Sequence, residues 1–206
     1  AALATAFEWG RLKMQASVLG YFVHEKVERF EARPDKAVAT SAFFGSFKVL
    51  KNHDLSVRAF YKRMFRMPTF NDLYYTDMGN AFLKPEYAEQ FNVGLKYTRN
   101  FEKSPFMRML DVSVDAYYNK ITDKIIAYPK GQQFRWTMLN LGEVEIKGVD
   151  AVLNALFTLG KLEVTTKFQY TYQKTIDITD PADTYYRDQI PYIPWHSGSA
   201  ILALFY

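Results

Sequence analysis

Residues 161–174 read Lys-Leu-Glu-Val-Thr-Thr-Lys-Phe-Gln-Tyr-Thr-Tyr-Gln-Lys, and every second side chain in this stretch is of one kind. One set consists of Leu162, Val164, Thr166, Phe168, Tyr170 and Tyr172. The other consists of Glu163, Thr165, Lys167, Gln169, Thr171 and Gln173. Successive side chains of a β-strand point to opposite faces of its sheet, so this alternation predicts a strand with one apolar and one polar face.

The same alternation recurs along the whole chain. Clear examples are Leu110-Asp111-Val112-Ser113-Val114 and Phe91-Asn92-Val93-Gly94-Leu95. It predicts about eight strands, near residues 10–27, 37–50, 55–67, 89–98, 107–120, 140–157, 161–174 and 196–206. Several exceed ~10 residues, the length that spans a bilayer, whereas strands of soluble proteins usually have about five or six.

The predicted connections alternate in length. Long loops fall near 28–36, 68–88, 121–139 and 175–195, and short turns near 51–54, 99–106 and 158–160. Outer-membrane barrels have short turns at one end and long extracellular loops at the other, so up-and-down strands produce this alternation directly. The sequence therefore predicts an all-β, antiparallel, up-and-down transmembrane β-barrel segment, with an apolar face toward lipid and a polar face toward the lumen.

Aromatic side chains fall near both ends of the predicted strands, as membrane interfaces favour. At the short-turn end these are Trp9, Tyr97, Phe157 and Phe205 or Tyr206. At the long-loop end they are Phe22, Phe65, Tyr118, Tyr172 and Trp195.

Composition excludes several functional classes. The absence of cysteine excludes disulfides and thiol chemistry, and the basic residues are scattered among 22 acidic ones instead of forming a nucleic-acid-binding patch. No nucleophile–base pair, phosphate-binding loop or metal-ligand spacing is present, so we predict neither enzymatic activity nor a metal or cofactor.

Two passages resemble those of a known family. The first, residues 65–74, reads Phe-Arg-Met-Pro-Thr-Phe-Asn-Asp-Leu-Tyr, and residues 79–86 continue with Gly-Asn-Ala-Phe-Leu-Lys-Pro-Glu. The second runs from Asp115-Ala116-Tyr117-Tyr118-Asn119 to Ile146-Lys147-Gly148-Val149-Asp150. Both are similar to strand–loop–strand passages of TonB-dependent outer-membrane receptors, and residues 191–196 resemble the approach to the strand after.

This resemblance implies a receptor in the outer membrane of a Gram-negative bacterium, built as a barrel of about 22 strands around an N-terminal plug. Residues 1–206 are then expected to be part of the barrel domain, with the plug outside this chain. The implied partners are outer-membrane lipid, TonB acting through the plug region, and a small scarce solute such as a siderophore, cobalamin, haem or glycan. Haem receptors carry a histidine between the two halves of the first motif, and none lies between Pro68 and Asn80.

Ligand contacts are expected in the long loops, because binding residues concentrate in loops on rigid scaffolds. Tyrosine and tryptophan offer rigid contact area, and arginine binds carboxylates. The candidate ligand-binding residues are Asp72, Tyr74, Tyr75, Asp77, Arg135, Trp136, Tyr185, Tyr186 and Arg187, with Tyr128 and Phe134 beside them.

Two other interpretations stay open. About eight strands can close alone as a small outer-membrane barrel with a structural or adhesive role. A soluble β-sandwich that binds carbohydrate is less consistent with the alternation of loop lengths, because nothing in a sandwich confines long loops to every second connection.

Overall fold

The computed structural model describes residues 1–24, 26, 36–50, 54–130, 135–140, 142–184, 186–190 and 193–206. Nine strands form one antiparallel sheet in which each strand pairs with its neighbour in the order given. They are β1 (Ala2–Trp9), β2 (Leu12–Val23), β3 (Lys36–Lys48), β4 (Asp54–Arg66), β5 (Glu86–Asn100), β6 (Met107–Thr122), β9 (Val144–Leu159), β10 (Leu162–Asp177) and β11 (His196–Phe205). Strands β7 (Ile125–Lys130) and β8 (Arg135–Asn140) form a separate hairpin, and α1 (Phe70–Tyr74) is a single short helix.

The register keeps one apolar face continuous across the sheet. One row of cross-strand neighbours runs Trp9, Leu12, Phe47, Val57, Leu95, Val114, Ala151, Tyr170 and Gly198. Many large side chains on this face are exposed, among them Leu202 at 64%. An apolar surface of this extent on a folded chain requires a partner or a membrane. The alternation predicted from sequence is thus confirmed.

The same row measures the tilt of the strands. Leu12 and Leu162 each begin a strand after a short turn, yet Leu12 shares a row with Tyr170, which lies eight residues beyond Leu162. Eight residues advance ~26 Å along a strand, and the six strand steps between β2 and β10 span ~29 Å. The ends of the strands therefore follow a line tilted by about 40°, the tilt typical of a barrel wall.

Short connections lie at one end of the sheet and long ones at the other, as predicted. Two-residue turns join β1 to β2 and β9 to β10, and each begins with a glycine at positive φ, Gly10 at 60° and Gly160 at 65°. Two-residue hairpin turns require this backbone conformation, which glycine adopts without steric cost. The predicted loop 28–36 and turn 51–54 lie mostly outside the described residues.

The sheet has one more strand than the alternation predicted. Strand β1 is the addition, and the segment predicted as the loop 121–139 contains most of the hairpin β7–β8. The apolar side chains of β1 are interrupted by Thr5 and Glu8, and the hairpin strands have only six residues each, so neither produces a long alternating signal.

The aromatic positions divide as predicted, with one refinement. Trp9, Tyr97 and Phe157 lie near the short-turn end of the apolar face, and Phe22, Phe65, Tyr118 and Tyr172 lie toward the long-loop end. Phe205 lies opposite Glu163 on the polar face, so Tyr206 is the terminal residue that continues the apolar face.

Side chains on the polar face lie flat against the sheet. Arg58, Gly94 and Asp115 share a row, and the Arg58 guanidinium reaches over Gly94 to bond both oxygens of the Asp115 carboxylate. A Cβ at position 94 would lie 2.8 Å from Asp115 Cγ and 3.1 Å from Arg58 Nε. The missing side chain of Gly94 therefore makes room for this ion pair.

A second glycine on the polar face serves the same purpose. Tyr117 Oη donates to Gln173 Oε1 (3.1 Å) across Gly148, which lies between them in the register. A Cβ at Gly148 would collide with the Tyr117 ring and lie 2.6 Å from the carbonyl oxygen of Tyr172. At both positions the absence of a side chain on glycine lets a long polar side chain lie along the polar face of the sheet.

Candidate functional site: the long-loop end of the sheet

The connection between β4 and β5 is an ordered loop, which begins with a capped helix. Thr69 is the N-cap of α1: its hydroxyl accepts from Asp72 N (3.2 Å), and Asp72 Oδ2 accepts from Thr69 N (2.9 Å). This reciprocal pair is a capping box, which satisfies backbone donors that a helix start leaves unpaired. Leu73, in α1, is buried.

Gly79 and Asn80 close this loop onto the end of α1. The amide of Gly79 donates to Tyr75 O (2.7 Å), and a Cβ at Gly79 would lie 2.6 Å from Tyr75 N. Asn80 N donates to Asp72 O (2.8 Å), and Asn80 Nδ2 donates to Met138 O (2.9 Å) in β8. The close approach requires glycine at 79, and the asparagine joins the loop to the hairpin.

Asn140 ties three segments together at the base of the hairpin. Its side-chain nitrogen donates to Lys84 O (2.9 Å) and to Asp123 O (2.7 Å), and its side-chain oxygen accepts from Lys84 N (2.7 Å). Met138 N adds a backbone bond to Met78 O (2.9 Å). The β4–β5 loop and the hairpin are therefore one packed unit.

Glu86 anchors this unit to the sheet at the start of β5. Its carboxylate accepts from Arg66 Nη2 and from Ile125 N, both at 3.0 Å, and Arg66 Nε lies 3.0 Å from the other oxygen. Burial disfavours the charged form, but these hydrogen bonds and the positive charges of Arg66 and Lys124 outweigh it, and the pKa of Glu86 lies below its ordinary value. The Arg-Met-Pro and Lys-Pro-Glu motifs thus meet in space.

A small hydrophobic core underlies the loop and the hairpin. It contains Leu73, Leu83 and Ile125, with Tyr74 and Met138 packed against it, and Pro85 is fully buried nearby. Leu73, Leu83 and Pro85 of the first motif are therefore packing residues, and this core holds the exposed side chains of the loop in place.

The connection between β10 and β11 folds back along β10. Ile176 pairs with Gln189, and Ile190 N donates to Thr175 O (2.9 Å). Thr179 Oγ1 accepts from Glu143 N (3.0 Å), and Ile178 N donates to Glu143 O (2.9 Å). This third loop therefore packs against the start of β9, at the same end of the sheet as the β4–β5 loop and the hairpin.

The predicted ligand-binding residues of the β4–β5 loop, called the first loop below, form two groups that differ in exposure. Asp72 caps α1, lies 3.6 Å from Arg66 and has a side chain 14% exposed, and Tyr74 packs on the small core. Tyr75 is 58% exposed, and Asp77 is exposed as well. Only the second group presents its side chains to the space above the loop.

The remaining candidates lie on the hairpin and the third loop. Trp136 of β8 is 46% exposed, and Arg187 is exposed with a positive φ of 68°. Tyr186 is half-buried. Tyr185 and Phe134 lie outside the described residues, and Arg135 and Tyr128 are described only by their backbone, as members of β8 and β7.

Two exposed aromatic residues of the first loop were not among the predicted ligand-binding residues. Phe82 is 93% exposed, and Phe70, the first residue of α1, is also exposed. Both lie inside the motif passage, where the sequence pattern does not separate packed from exposed apolar residues. They enlarge the aromatic surface at this end of the sheet.

The described residues hold no cluster of three or more His, Cys, Asp or Glu side chains that could bind a metal ion. Within the same residues, no helix is long and apolar enough to cross a membrane. The described surface at the long-loop end includes exposed aromatic side chains, several carboxylates and the Arg187 guanidinium, which can bind by contact area, hydrogen bonding and charge.

Comparisons with known proteins converge on one family. The family model described as "TonB dependent receptor-like, beta-barrel" matches residues 11–206. The vitamin B12 transporter BtuB of Vibrio vulnificus is 34% identical over 99 residues, which make up 48% of this chain and 14% of that protein. The vitamin B12 transporter BtuB of Photobacterium profundum is 34% identical over 113 residues, covering 52% of this chain and 16% of that protein.

A solved structure shows the same fold. The FrpB iron transporter from Neisseria meningitidis (F3-3 variant) matches with a TM-score of 0.58 over 92% of this chain and 26% of that chain, at 15% identity. At this identity the likeness concerns the fold alone. This chain therefore spans only a small part of the length of each of these proteins.

Proposed function

Because the chain belongs to the TonB-dependent receptor family, as part of its β-barrel, we propose that it is a wall segment of a receptor in the outer membrane of a Gram-negative bacterium. The whole receptor takes up a scarce solute, with energy supplied through TonB by way of a plug region outside this chain. The loops at the long-loop end face the medium and contact the solute.

The observation that carries this proposal is the two-faced, tilted sheet. An apolar face runs unbroken across the nine strands, while the other face carries ion pairs and hydrogen bonds such as Arg58–Asp115. In a bilayer every backbone polar group must be paired, so a sheet can span only as part of a closed barrel. A polar inner wall then suits a lumen filled by water or a polar plug.

The open sheet argues against a complete small barrel. Strands β1 and β11 are the two edges of the main sheet, and the described residues contain no pairing between them. A barrel of eight or nine strands would join its first strand to its last, because exposed edges leave hydrogen-bonding groups unpaired. We therefore expect further strands of the receptor to cover both edges.

A corrinoid is the solute that we propose first. The two relatives above are named vitamin B12 transporters. A corrinoid ring system with peripheral amides suits exposed aromatic side chains and hydrogen-bonding groups. The proposed contacts are the exposed Tyr75, Asp77, Trp136 and Arg187, and the other candidate positions stay predictions.

The test uses the full-length receptor that contains this segment. Cells that lack other corrinoid receptors receive the wild type or a Tyr75→Ala/Trp136→Ala variant, and uptake of radiolabelled cobalamin is measured with and without TonB. We expect TonB-dependent uptake by the wild type and a raised half-saturation concentration for the variant. The control is Phe106→Ala, which removes an exposed aromatic at the short-turn end.

Different results separate the parts of the proposal. No cobalamin uptake, together with TonB-dependent uptake of an iron chelate, would replace the solute and keep the transport function. A receptor that never reaches the outer-membrane fraction would overturn the function itself.

A further inference from the structure

The third loop, which connects β10 to β11, runs antiparallel beside the end of β10 as a short extra strand. Ile176 pairs with Gln189, and Ile190 N donates to Thr175 O (2.9 Å). The register of β10 with β11 ends at Tyr172. The loop therefore takes the place of β11 along the last residues of β10.

This extra strand contains one residue too many. Arg187 N donates to Asp177 O (2.7 Å), whereas Asp177 N donates to the carbonyl of the next residue, Asp188 O (3.3 Å). Two residues thus lie opposite one, which defines a β-bulge, called the third-loop bulge below. Arg187 is its first residue and has a φ of 68°. Bulges with a left-handed first residue normally carry glycine there, because a side chain makes this conformation costly.

The arginine makes no contact that would explain its presence at this position. Its side chain is exposed, and within the part of the chain that the structure describes its guanidinium forms no hydrogen bond or ion pair. The charge of Arg187 acts on Glu145, but that carboxylate is already bound by Lys147 Nζ (2.8 Å) and Tyr118 Oη (3.1 Å). Backbone strain of this kind is found at ligand-binding and active sites, where the strained residue has a function.

Gln189 holds the third-loop bulge in register with its side chain. Its Oε1 accepts from Thr175 N (2.9 Å), where a longer strand would offer a backbone carbonyl, and its Nε2 donates to Ile193 O (3.1 Å). Thr175 is buried, so its amide depends on this acceptor. The side chain of Gln189 therefore fixes the backbone two residues after Arg187.

We propose that the third-loop bulge determines specificity: it presents Arg187 to an anionic group of the solute, a phosphate or a carboxylate, and Gln189 is the residue that positions it. This rests on the proposed function, because it requires that the long loops contact the solute. A guanidinium binds such a group through two parallel hydrogen bonds, which a neutral group does not match in charge. The strain opposes arginine at this position, so solute binding is the contribution that offsets it.

The experiment uses the full-length receptor that contains this segment, in cells that lack other receptors for the solutes tested. TonB-dependent uptake is compared within two pairs of solutes that differ by one anionic group. These are cobalamin and cobinamide, which lacks the phosphodiester, and a ferric chelate with a free carboxylate and the same chelate with that carboxylate amidated.

We expect the wild type to prefer the anionic member of the pair that it transports. Arg187→Gly should raise the half-saturation concentration of that member about tenfold, which corresponds to the loss of one charge-assisted interaction. The maximal rate of uptake and the half-saturation concentration of the neutral member should stay unchanged. A variant that keeps the preference of the wild type would overturn the inference.

Amide exchange separates a role in binding from a role in the fold. Glycine adopts the conformation of the bulge without steric cost, so the third loop of Arg187→Gly should exchange no faster than that of the wild type. Asp123→Gly is the matched control, because Asp123 also has a positive φ, 54°, between β6 and β7. It should leave the preference between the solutes unchanged. Faster exchange in Arg187→Gly would assign the arginine a structural role and overturn the inference.

The positioning role of Gln189 is tested through Arg187. Gln189→Leu removes the acceptor for Thr175 N and should raise the half-saturation concentration of the anionic solute without changing the maximal rate. In the Arg187→Gly background the same substitution should have no further effect, because it acts through the guanidinium. The control is Gln173→Leu, which removes a hydrogen bond to Thr175 Oγ1 (3.0 Å) and should leave the preference intact. Additive losses in the double variant would overturn this role.

Failure of this inference is distinguishable from failure of the proposed function. A wild type that transports either pair without preferring its anionic member overturns only the specificity of the bulge. TonB-dependent uptake of neither pair would overturn the proposed function, and the inference would fall with it.

Discussion

Single glycines decide how the polar wall of this sheet is built. Gly94 lies under the Arg58–Asp115 ion pair, whereas Gly45, in β3, has open space around the position of a Cβ. We predict that Gly94→Ala destabilises the receptor by about 1–3 kcal/mol, because the added methyl forces the ion pair out of its geometry. Gly45→Ala should be neutral or slightly stabilising. Urea unfolding in lipid vesicles measures both, and equal effects would contradict this account of Gly94.

Glu86 makes the anchoring of the first loop dependent on pH. Its pKa is lowered in the folded protein, so the stabilisation is complete above the ordinary pKa of glutamate and is lost as pH falls through the lowered value. We expect amide exchange in residues 67–85, corrected for the intrinsic rate, to accelerate below about pH 4.

The Glu86→Gln variant checks the cause of this pH dependence. Glutamine does not ionise, so its loop should exchange faster at neutral pH and lose most of the acid-dependent change. Glu102→Gln, in an exposed turn at the opposite end of the sheet, is the matched control. An unchanged acid response in Glu86→Gln would assign the effect to another group.

At the scale of elements, the β4–β5 loop and the hairpin β7–β8 behave as one unit because a few polar side chains join them. Asn140 alone makes three of the hydrogen bonds, to Lys84 and Asp123. Together these bonds hold Lys84, Asp123 and the end of β8 in contact. The unit should therefore separate when this side chain is lost.

We predict that Asn140→Ala exposes the hairpin to proteolysis while the sheet stays folded. Each of the three lost hydrogen bonds contributes about 0.5–1.5 kcal/mol. Their sum exceeds the stability of a two-stranded hairpin, which is marginal on its own. Limited proteolysis followed by mass spectrometry should find new cleavage sites within 123–143. Asn71→Ala, on the exposed side of α1, should add none, and new sites in the strands of the main sheet would contradict a local effect.

At the scale of the whole molecule, the two faces of the sheet have opposite surroundings. Val114 and Ser113 are adjacent in β6 and point to opposite faces. Arginine on the lipid face costs about 2–4 kcal/mol near the middle of the bilayer, whereas the inner wall accepts charge. Val114→Arg should therefore reduce the folding free energy in vesicles much more than Ser113→Arg. The reverse order would invert the assignment of the two faces.

The open edges of the sheet also belong to this scale. Strands β1 and β11 each leave one side without a partner among the described strands. In the receptor, neighbouring strands of the barrel would satisfy these groups, so the stability of this segment depends on chain that lies beyond it. The tilt of about 40° fits a wall that continues in both directions.

The sequence determined the period-two faces, the long strands, the alternation of loop lengths and the family, because each depends on local spacing or on motif residues such as Arg66, Pro68 and Glu86. It did not reveal β1 or the hairpin, whose short or interrupted patterns carry little periodic signal. Which motif residues pack and which remain exposed, as Asp72 and Phe82 illustrate, was decided by contacts between loops far apart in sequence. The positions of Gly94 and Gly148 beneath crossing polar side chains likewise arise only from the register, because strands distant along the chain must align before a missing side chain acquires its neighbours.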